Sequence, residues 1–284
     1  MAAPLLPPAA ETIAADVARA LAEDLGSGDA TADLLADGPA QAHVIAKEAG
    51  VIAGRPWFDA CFRRLDPDVV IAWRVAEGDA VVAGTVLVVL AGRARALVSA
   101  ERPALNFLQT LSATASRTAE HVAAVAGTRT RILDTRKTLP GLRQAQKYAV
   151  RAGGGTNHRM GLFDAVMLKE NHIHAAGSIA AAAAAARARH PALPLIIEVE
   201  NLDELDQALA TGCDRILVDD FSHDDLREAV QRADGRIPLE VSGGVTLARL
   251  PAIAATGVDY VSVGALTKHV QALDLSLRLG PPPG

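Results

Sequence analysis

The sequence predicts an α/β protein whose C-terminal half is an incomplete parallel α/β barrel. Two observations carry this. The 284 residues are 50% hydrophobic but only 3% aromatic, so the apolar content rests on Ala, Val, Leu and Ile, a mixture suited to helices packed on parallel strands. From about residue 113 onward, short apolar strands ending in polar residues alternate with helical stretches, and such alternation implies a parallel sheet.

Taken in order, residues 1–112 form a first domain. Met1–Ala10 is rich in proline and has no basic residue, which argues against a signal or transit peptide. A helix is expected over Glu11–Glu23, followed by the acidic, Gly-rich stretch Glu23-Asp24-Leu25-Gly26-Ser27-Gly28-Asp29. Strands are expected at His43–Ile45, Val69–Val75 and Val86–Leu90, which are rich in β-branched residues and separated by Gly-containing turns. The Glu77-Gly78-Asp79…Gly84 pattern looks superficially like the turns of a lipoyl or biotinyl carrier domain, but no lysine lies nearby to be modified. It reads as β-turns joining short strands.

The second domain spans 113–274. Strands are expected at Arg131–Asp134, Ala165–Lys169, Leu195–Val199, Arg215–Asp219, Leu239–Ser242 and Tyr260–Val263. Between them, Ser178–His190 combines an alanine run with a serine N-cap, and Asn201–Ala210 begins with the capping-box pair Asn201 and Glu204. Six strands point to an incomplete barrel rather than an eightfold one. Each strand delivers polar residues at its C-terminal end, and a barrel gathers those ends at the rim that carries its active site.

Charge and composition narrow the partners. The net charge is -5 and no basic run is interleaved with aromatics, so no nucleic-acid partner is expected. No apolar run reaches the roughly 20 residues of a membrane span, so no membrane is expected and the cytoplasm is the default compartment. Cys61 and Cys213 lie far apart and fit neither a disulfide framework nor a metal motif.

The rim carries the candidate chemistry. Arg136, Lys137, His158, Arg159 and Lys169 fall at or just beyond strand ends, and cations gathered at a barrel mouth imply a small, multiply anionic ligand. Glu198 and Asp219 end successive strands and offer hard oxygen ligands for Mg²⁺ or acceptors for ribose hydroxyls. Each can instead cap the next helix, although Asn201 and Ser222 are better caps. Ser242-Gly243-Gly244 and Val263-Gly264-Ala265 are small-residue turns whose N–H groups can approach phosphate, or simply tight turns. Gly153–Met160 reads as a flexible polar loop able to fold over a ligand. It fits neither a dinucleotide fingerprint nor a P-loop.

In order along the chain, Asp134-Thr135-Arg136-Lys137-Thr138-Leu139-Pro140-Gly141-Leu142-Arg143, Lys147 to Gly155, Asn157-His158-Arg159-Met160-Gly161-Leu162, Leu168-Lys169-Glu170-Asn171-His172, Glu198-Val199-Glu200, Val218-Asp219-Asp220, Ser242-Gly243-Gly244 and Ser262-Val263-Gly264 closely resemble the decarboxylating quinolinate phosphoribosyltransferases. Glu23 to Thr31 and Glu101-Arg102-Pro103-Ala104-Leu105-Asn106 extend the resemblance to nearly the whole chain. It implies an N-terminal open α/β sandwich to which the tail 275–284 returns, then the incomplete barrel. It also implies homodimers or higher homo-oligomers with shared active sites.

By this resemblance Arg102, Arg136, His158, Arg159 and Lys169 would bind the quinolinate carboxylates. Lys137, Glu198, Asp219 and the turns Ser242 to Gly244 and Val263 to Ala265 would serve phosphoribosyl pyrophosphate and its Mg²⁺, and Thr135 is a further substrate-binding candidate. Lys137, Lys169, Glu198 and Asp219 are the candidate catalytic groups, and Glu198 and Asp219 the candidate metal ligands. One departure is Ser112-Ala113-Thr114-Ala115-Ser116, where the family usually has Ser-Gly-Ile-Ala-Thr; alanine there should favour helix. Two rival readings are a lyase or aldolase using Lys169 as a Schiff-base nucleophile and a non-catalytic nucleotide-binding barrel.

Overall fold

A computed structural model describes residues 5–282. In chain order it contains α1 (Ala10–Leu25), β1 (Pro39–Ala46), β2 (Gly50–Val51), α2 (Arg55–Leu65), β3 (Val70–Trp73), β4 (Ala80–Val81), β5 (Val86–Arg93) and α3 (Ala94–Ala124). There follow β6 (Arg131–Leu133), α4 (Arg143–Ala152), β7 (Val166–Leu168), α5 (Glu170–Ala176), α6 (Ile179–Arg189), β8 (Leu195–Val199) and α7 (Leu202–Leu209). The last are β9 (Arg215–Asp219), α8 (His223–Ala233), β10 (Leu239–Ser242), α9 (Leu250–Ala254), β11 (Tyr260–Ser262), α10 (Ala265–Lys268) and β12 (Leu275–Leu279). Two compact units result. One runs through Ala119 and adds Thr138–Gly154 and the segment from Leu266 onward; the other comprises Glu120–Lys137 and Gly155–Ala265.

The first unit is built on an antiparallel sheet in the order β12-β1-β5-β3. The last strand returns to pair with the first, from Ala42↔Leu279 to Ala46↔Leu275; residues 283–284 of the tail lie outside the described residues. Although aromatics are scarce, they concentrate here. Trp57, Phe58 and Phe62 on α2 are buried with Leu87 and Leu90 of β5, and each contributes about 1.5–3 kcal/mol of burial. On α1 the buried stripe Ile13, Asp16, Val17, Leu21 follows helical spacing. Its one polar member, Asp16, accepts from the Trp57 indole at 2.9 Å.

The turn at Glu77 does more than join strands. Helix α2 has no side-chain cap of its own, because its N-cap is Gly54 at φ +110. The Glu77 carboxylate accepts from the N–H groups of Gly54 and Arg55 at 2.9 and 3.0 Å, and from the Tyr148 hydroxyl of α4 at 2.9 Å. Through positions 112–116, α3 is unbroken helix, as alanine there predicts. Ser112 and Ser116 accept from the N–H groups of Ala53 and Val51 at 3.0 and 2.7 Å.

The second unit is a six-stranded parallel sheet in the order β6-β11-β10-β9-β8-β7. Its edge strands β6 and β7 do not pair with each other, so the barrel stays open on that side. The observed strands match the expected ones except that Asp134, Ala165, Lys169 and Val263 drop from the ends. Behind the strands, Ser178, Asn201 and Ser222 cap α6, α7 and α8, accepting from N–H groups at 3.1, 2.9 and 3.1 Å. Glu198 and Asp219 are therefore not needed as caps. In the Asn201–Glu204 pair, the Glu204 carboxylate returns to the N–H of Glu200 at 2.9 Å.

Candidate active site

Register places the candidate residues before any side chain is considered. Across adjacent strands, Met167 pairs with Ile196, Glu198 with Leu217, Leu217 with Glu240, and Glu240 with Tyr260. Paired residues point to the same face and alternate residues share it. That face carries a small apolar cluster of Ala165, Ile196 and Leu217 with Met167. One alternation further toward the strand ends, the same face presents Lys169, Asp219 and Ser242. The polar endings seen in the sequence thus converge above an apolar floor.

Lys169 forms an ion pair with Glu198, while its N–H donates to His172 Nδ1 at 3.1 Å. After β6, Thr135 Oγ1 accepts from the Lys137 N–H at 3.0 Å, turning the chain so that Lys137 lies against Gly264. A Cβ at Gly264 would sit 3.0 Å from Lys137 Cδ. At Gly243, with φ +87, a Cβ would lie 3.1 Å from Asp219 Oδ1 and from the Asp220 N–H. Gly243 needs glycine for its positive φ and the backbone close by, whereas at Gly264 the lysine chain would have to give way. Among the other turn residues Val263 is buried and its N–H donates to the Leu133 carbonyl at 2.9 Å, so that N–H is already used within the fold.

The loop expected to be flexible is pinned where it carries chemistry. Thr156 bridges to Leu133 as a parallel neighbour, and the fully buried Asp134 accepts from Asn157 Nδ2 at 2.6 Å and the His158 N–H at 2.9 Å. This fixes Arg159, whose guanidinium donates to the Ala165 carbonyl at 3.1 Å and approaches Met167 Sδ at 3.6 Å. Burial, then the neighbouring Arg136 guanidinium, push the Arg159 pKa down; Asp164 partly offsets them. A half-buried guanidinium with a second cation as neighbour is a setting that favours a bound anion.

The barrel also holds charges that the sequence did not single out. Glu240 is fully buried, and its Oε2 accepts from Arg215 at 2.9 Å and lies 3.3 Å from His158 Nε2. Burial opposes its charge, but the bonds from His158 and Arg215 outweigh it and hold the carboxyl below its usual range. The signal was present: Glu240 is the one charged residue in Leu239–Ser242, and by alternation it faces inward. Arg102 belongs to the first unit, is exposed and lies 3.8 Å from Glu101.

Two family models cover the chain almost end to end. The one described as quinolinate phosphoribosyl transferase, N-terminal domain, matches residues 29–112, and its C-terminal counterpart matches residues 114–278. The chain belongs to the quinolinate phosphoribosyltransferase family. Among relatives, a probable nicotinate-nucleotide pyrophosphorylase [carboxylating] of Synechocystis is 47% identical over 265 residues, 91% of this chain and 90% of the relative. A quinolinate phosphoribosyltransferase [decarboxylating] of Nicotiana tabacum is 42% identical over 92% of this chain and 80% of the relative. The solved nicotinate-nucleotide pyrophosphorylase of Francisella tularensis superposes with a TM-score of 0.95 at 42% identity, covering 99% of this chain and 100% of that one. For this family member the mixed α/β architecture of antiparallel sheet and six-stranded parallel sheet is thus the shared fold.

Proposed function

We propose that this chain joins the ring nitrogen of quinolinate to the anomeric carbon of phosphoribosyl pyrophosphate, expels pyrophosphate, and releases the 2-carboxylate as CO₂ to leave nicotinate mononucleotide. The two names carried by its relatives describe this conversion from opposite directions. The observation that carries the reading is the Arg159 guanidinium, held against Ala165 and Met167 with Arg136 as a neighbouring cation: burial, then that second charge, push its pKa down, and a dicarboxylate offers both guanidiniums a counter-charge. In this reading Arg136, Arg159 and Lys169 orient quinolinate. Thr135, Lys137, Glu198, Asp219 and the glycine turns receive the phosphoribosyl donor.

Glycosyl transfer passes through an oxocarbenium-like state, so the protein's task is to align the ring nitrogen with the anomeric carbon and to favour departure of a polyanion. Breaking the Lys169–Glu198 pair toward two substrates of opposite need frees the ammonium for a carboxylate and the carboxylate for ribose hydroxyls or metal. Once the nitrogen is alkylated, the cationic ring stabilises the electron pair left on its 2-carbon when CO₂ departs, and a proton taken up from water then forms the C–H bond of nicotinate mononucleotide. No general base is required for that step.

Glu198 and Asp219 fit Mg²⁺, which takes one or two carboxylates and fills its sphere with water and substrate phosphates. Among the described residues no group of three or more metal-ligating side chains exists, so the ion is expected to arrive with pyrophosphate rather than be caged. When bound, it would neutralise charge on the leaving group. Chelation should abolish turnover without unfolding, and Mg²⁺ or Mn²⁺ should restore it; full turnover in excess chelator would remove the metal from the proposal.

The reading extends to a cytoplasmic homo-oligomer. Among the described residues no helix is long and apolar enough to cross a membrane, and Cys61 and Cys213 are free, buried thiols, with burial pushing Cys61 up to about 12; free thiols suit a reducing compartment. The deciding assay supplies quinolinate labelled at the 2-carboxylate together with phosphoribosyl pyrophosphate. Labelled CO₂, pyrophosphate and nicotinate mononucleotide should appear in equal amounts. Pyrophosphate without CO₂ would mean hydrolysis of the donor or transfer without decarboxylation and would overturn the reading.

A further inference from the structure

We propose that Glu240 is a positioning residue for the dicarboxylate site, holding the His158 ring as its Nε2–H tautomer so that the bare Nδ1 fixes the main chain of Arg159. The inference rests on the functional reading above for what the site binds, but its geometry stands apart from it. Arg159's N–H donates to His158 Nδ1 at 2.6 Å, so that nitrogen offers a lone pair and carries no proton. Nε2 then bears the hydrogen and points it at Glu240 Oε2, 3.3 Å away. Both ring nitrogens are therefore engaged within the fold, and His158 acts on the site through the main chain of Arg159.

The support continues below the rim. Arg215 donates to the same Glu240 oxygen at 2.9 Å and stacks its guanidinium over the Tyr260 ring at 4.4 Å. Three adjacent strands, β9, β10 and β11, thus anchor one carboxylate that in turn orients one imidazole. The arrangement is weak evidence of a role in stability. A buried ion pair is often no better than apolar residues of the same volume, and Glu240 Oε1 is buried with no hydrogen-bond partner among the described residues. Stability does not account for it; the fixed position of Arg159 beside Arg136 does.

Two measurements test this. Nitrogen NMR of the His158 ring in ligand-free wild-type protein at neutral pH, assigned by loss of the signal in His158→Gln, should show a protonated Nε2 and a bare Nδ1. A charged ring or an Nδ1–H tautomer overturns the proposal. The second uses the double variant Glu240→Leu with Arg215→Met, which removes the pair without stranding a buried charge. It should melt near the wild-type temperature, with KM for quinolinate raised about tenfold or more and KM for phosphoribosyl pyrophosphate within about twofold. An unchanged quinolinate KM, or both KM values raised alike, overturns it. If the double variant fails to fold, the ring tautomer decides. If wild-type protein does not turn over quinolinate, the functional reading fails, and the NMR result still judges the positioning role.

Discussion

At the scale of single residues, the guanidinium pair gives the sharpest test. Arg159 carries a depressed pKa because it is half-buried and has Arg136 as a neighbouring cation, and it stays charged at neutral pH, so an anion gains from both guanidiniums. Arg159→Ala or Arg136→Ala removes a charge-assisted hydrogen bond to a desolvated carboxylate, which should cost about 1.5–3 kcal/mol in kcat/KM for quinolinate, tenfold or more. Arg→Lys should not rescue, since an ammonium cannot reproduce the planar fork. Steady-state kinetics on variants with unchanged circular dichroism make the check, and near-normal kinetics in both would sink the assignment. Arg136 was legible because it follows the end of β6; Arg159, expected at a strand end, instead lies in the loop between α4 and β7, and only the motif Asn157-His158-Arg159 singled it out. Glu240 was passed over although it is the one charged residue of its strand, because it lies inside the strand rather than at its polar end.

Among the elements, Glu77 shows how a turn can govern a helix. Its carboxylate is the cap that α2 lacks and the acceptor for Tyr148 of α4, and burial raises its pKa against the bonds that lower it. Glu77→Ala strands the Gly54 and Arg55 N–H groups and should destabilise the first unit by roughly 1–3 kcal/mol, read as a shift in urea midpoint. Asn201→Ala and Ser222→Ala remove exposed caps and should each cost about 1 kcal/mol; a Glu77 variant no worse than these would deny it the wider role. The six barrel strands were legible nearly to the residue because buried parallel strands are continuous apolar runs. The cap was not, because it joins residues far apart in sequence. Nor was the pinning of Asn157 and His158, whose three preceding glycines resemble a mobile loop until Asp134 is seen to hold them.

For the whole molecule, the unplaced residue is Arg102. By family resemblance it belongs to the substrate site, yet it sits in the first unit with its side chain 57% exposed. We propose that it reaches the barrel of a neighbouring subunit, so that in a two-fold dimer each site combines one chain's barrel with the other chain's Arg102. Arg102→Ala and Lys169→Ala homodimers should each be nearly inactive. When the two are unfolded and refolded together, a mixed dimer has one site carrying both lesions and one carrying neither. Random association makes about half the dimers mixed, so roughly a quarter of all sites should recover. If Arg102 served its own barrel, every site would keep one lesion, because each chain brings its own defect to its own site. A refolded mixture as inactive as its parents, with subunit exchange confirmed by mass, would then refute sharing, whereas recovery near a quarter has no explanation in which each chain is catalytically self-contained.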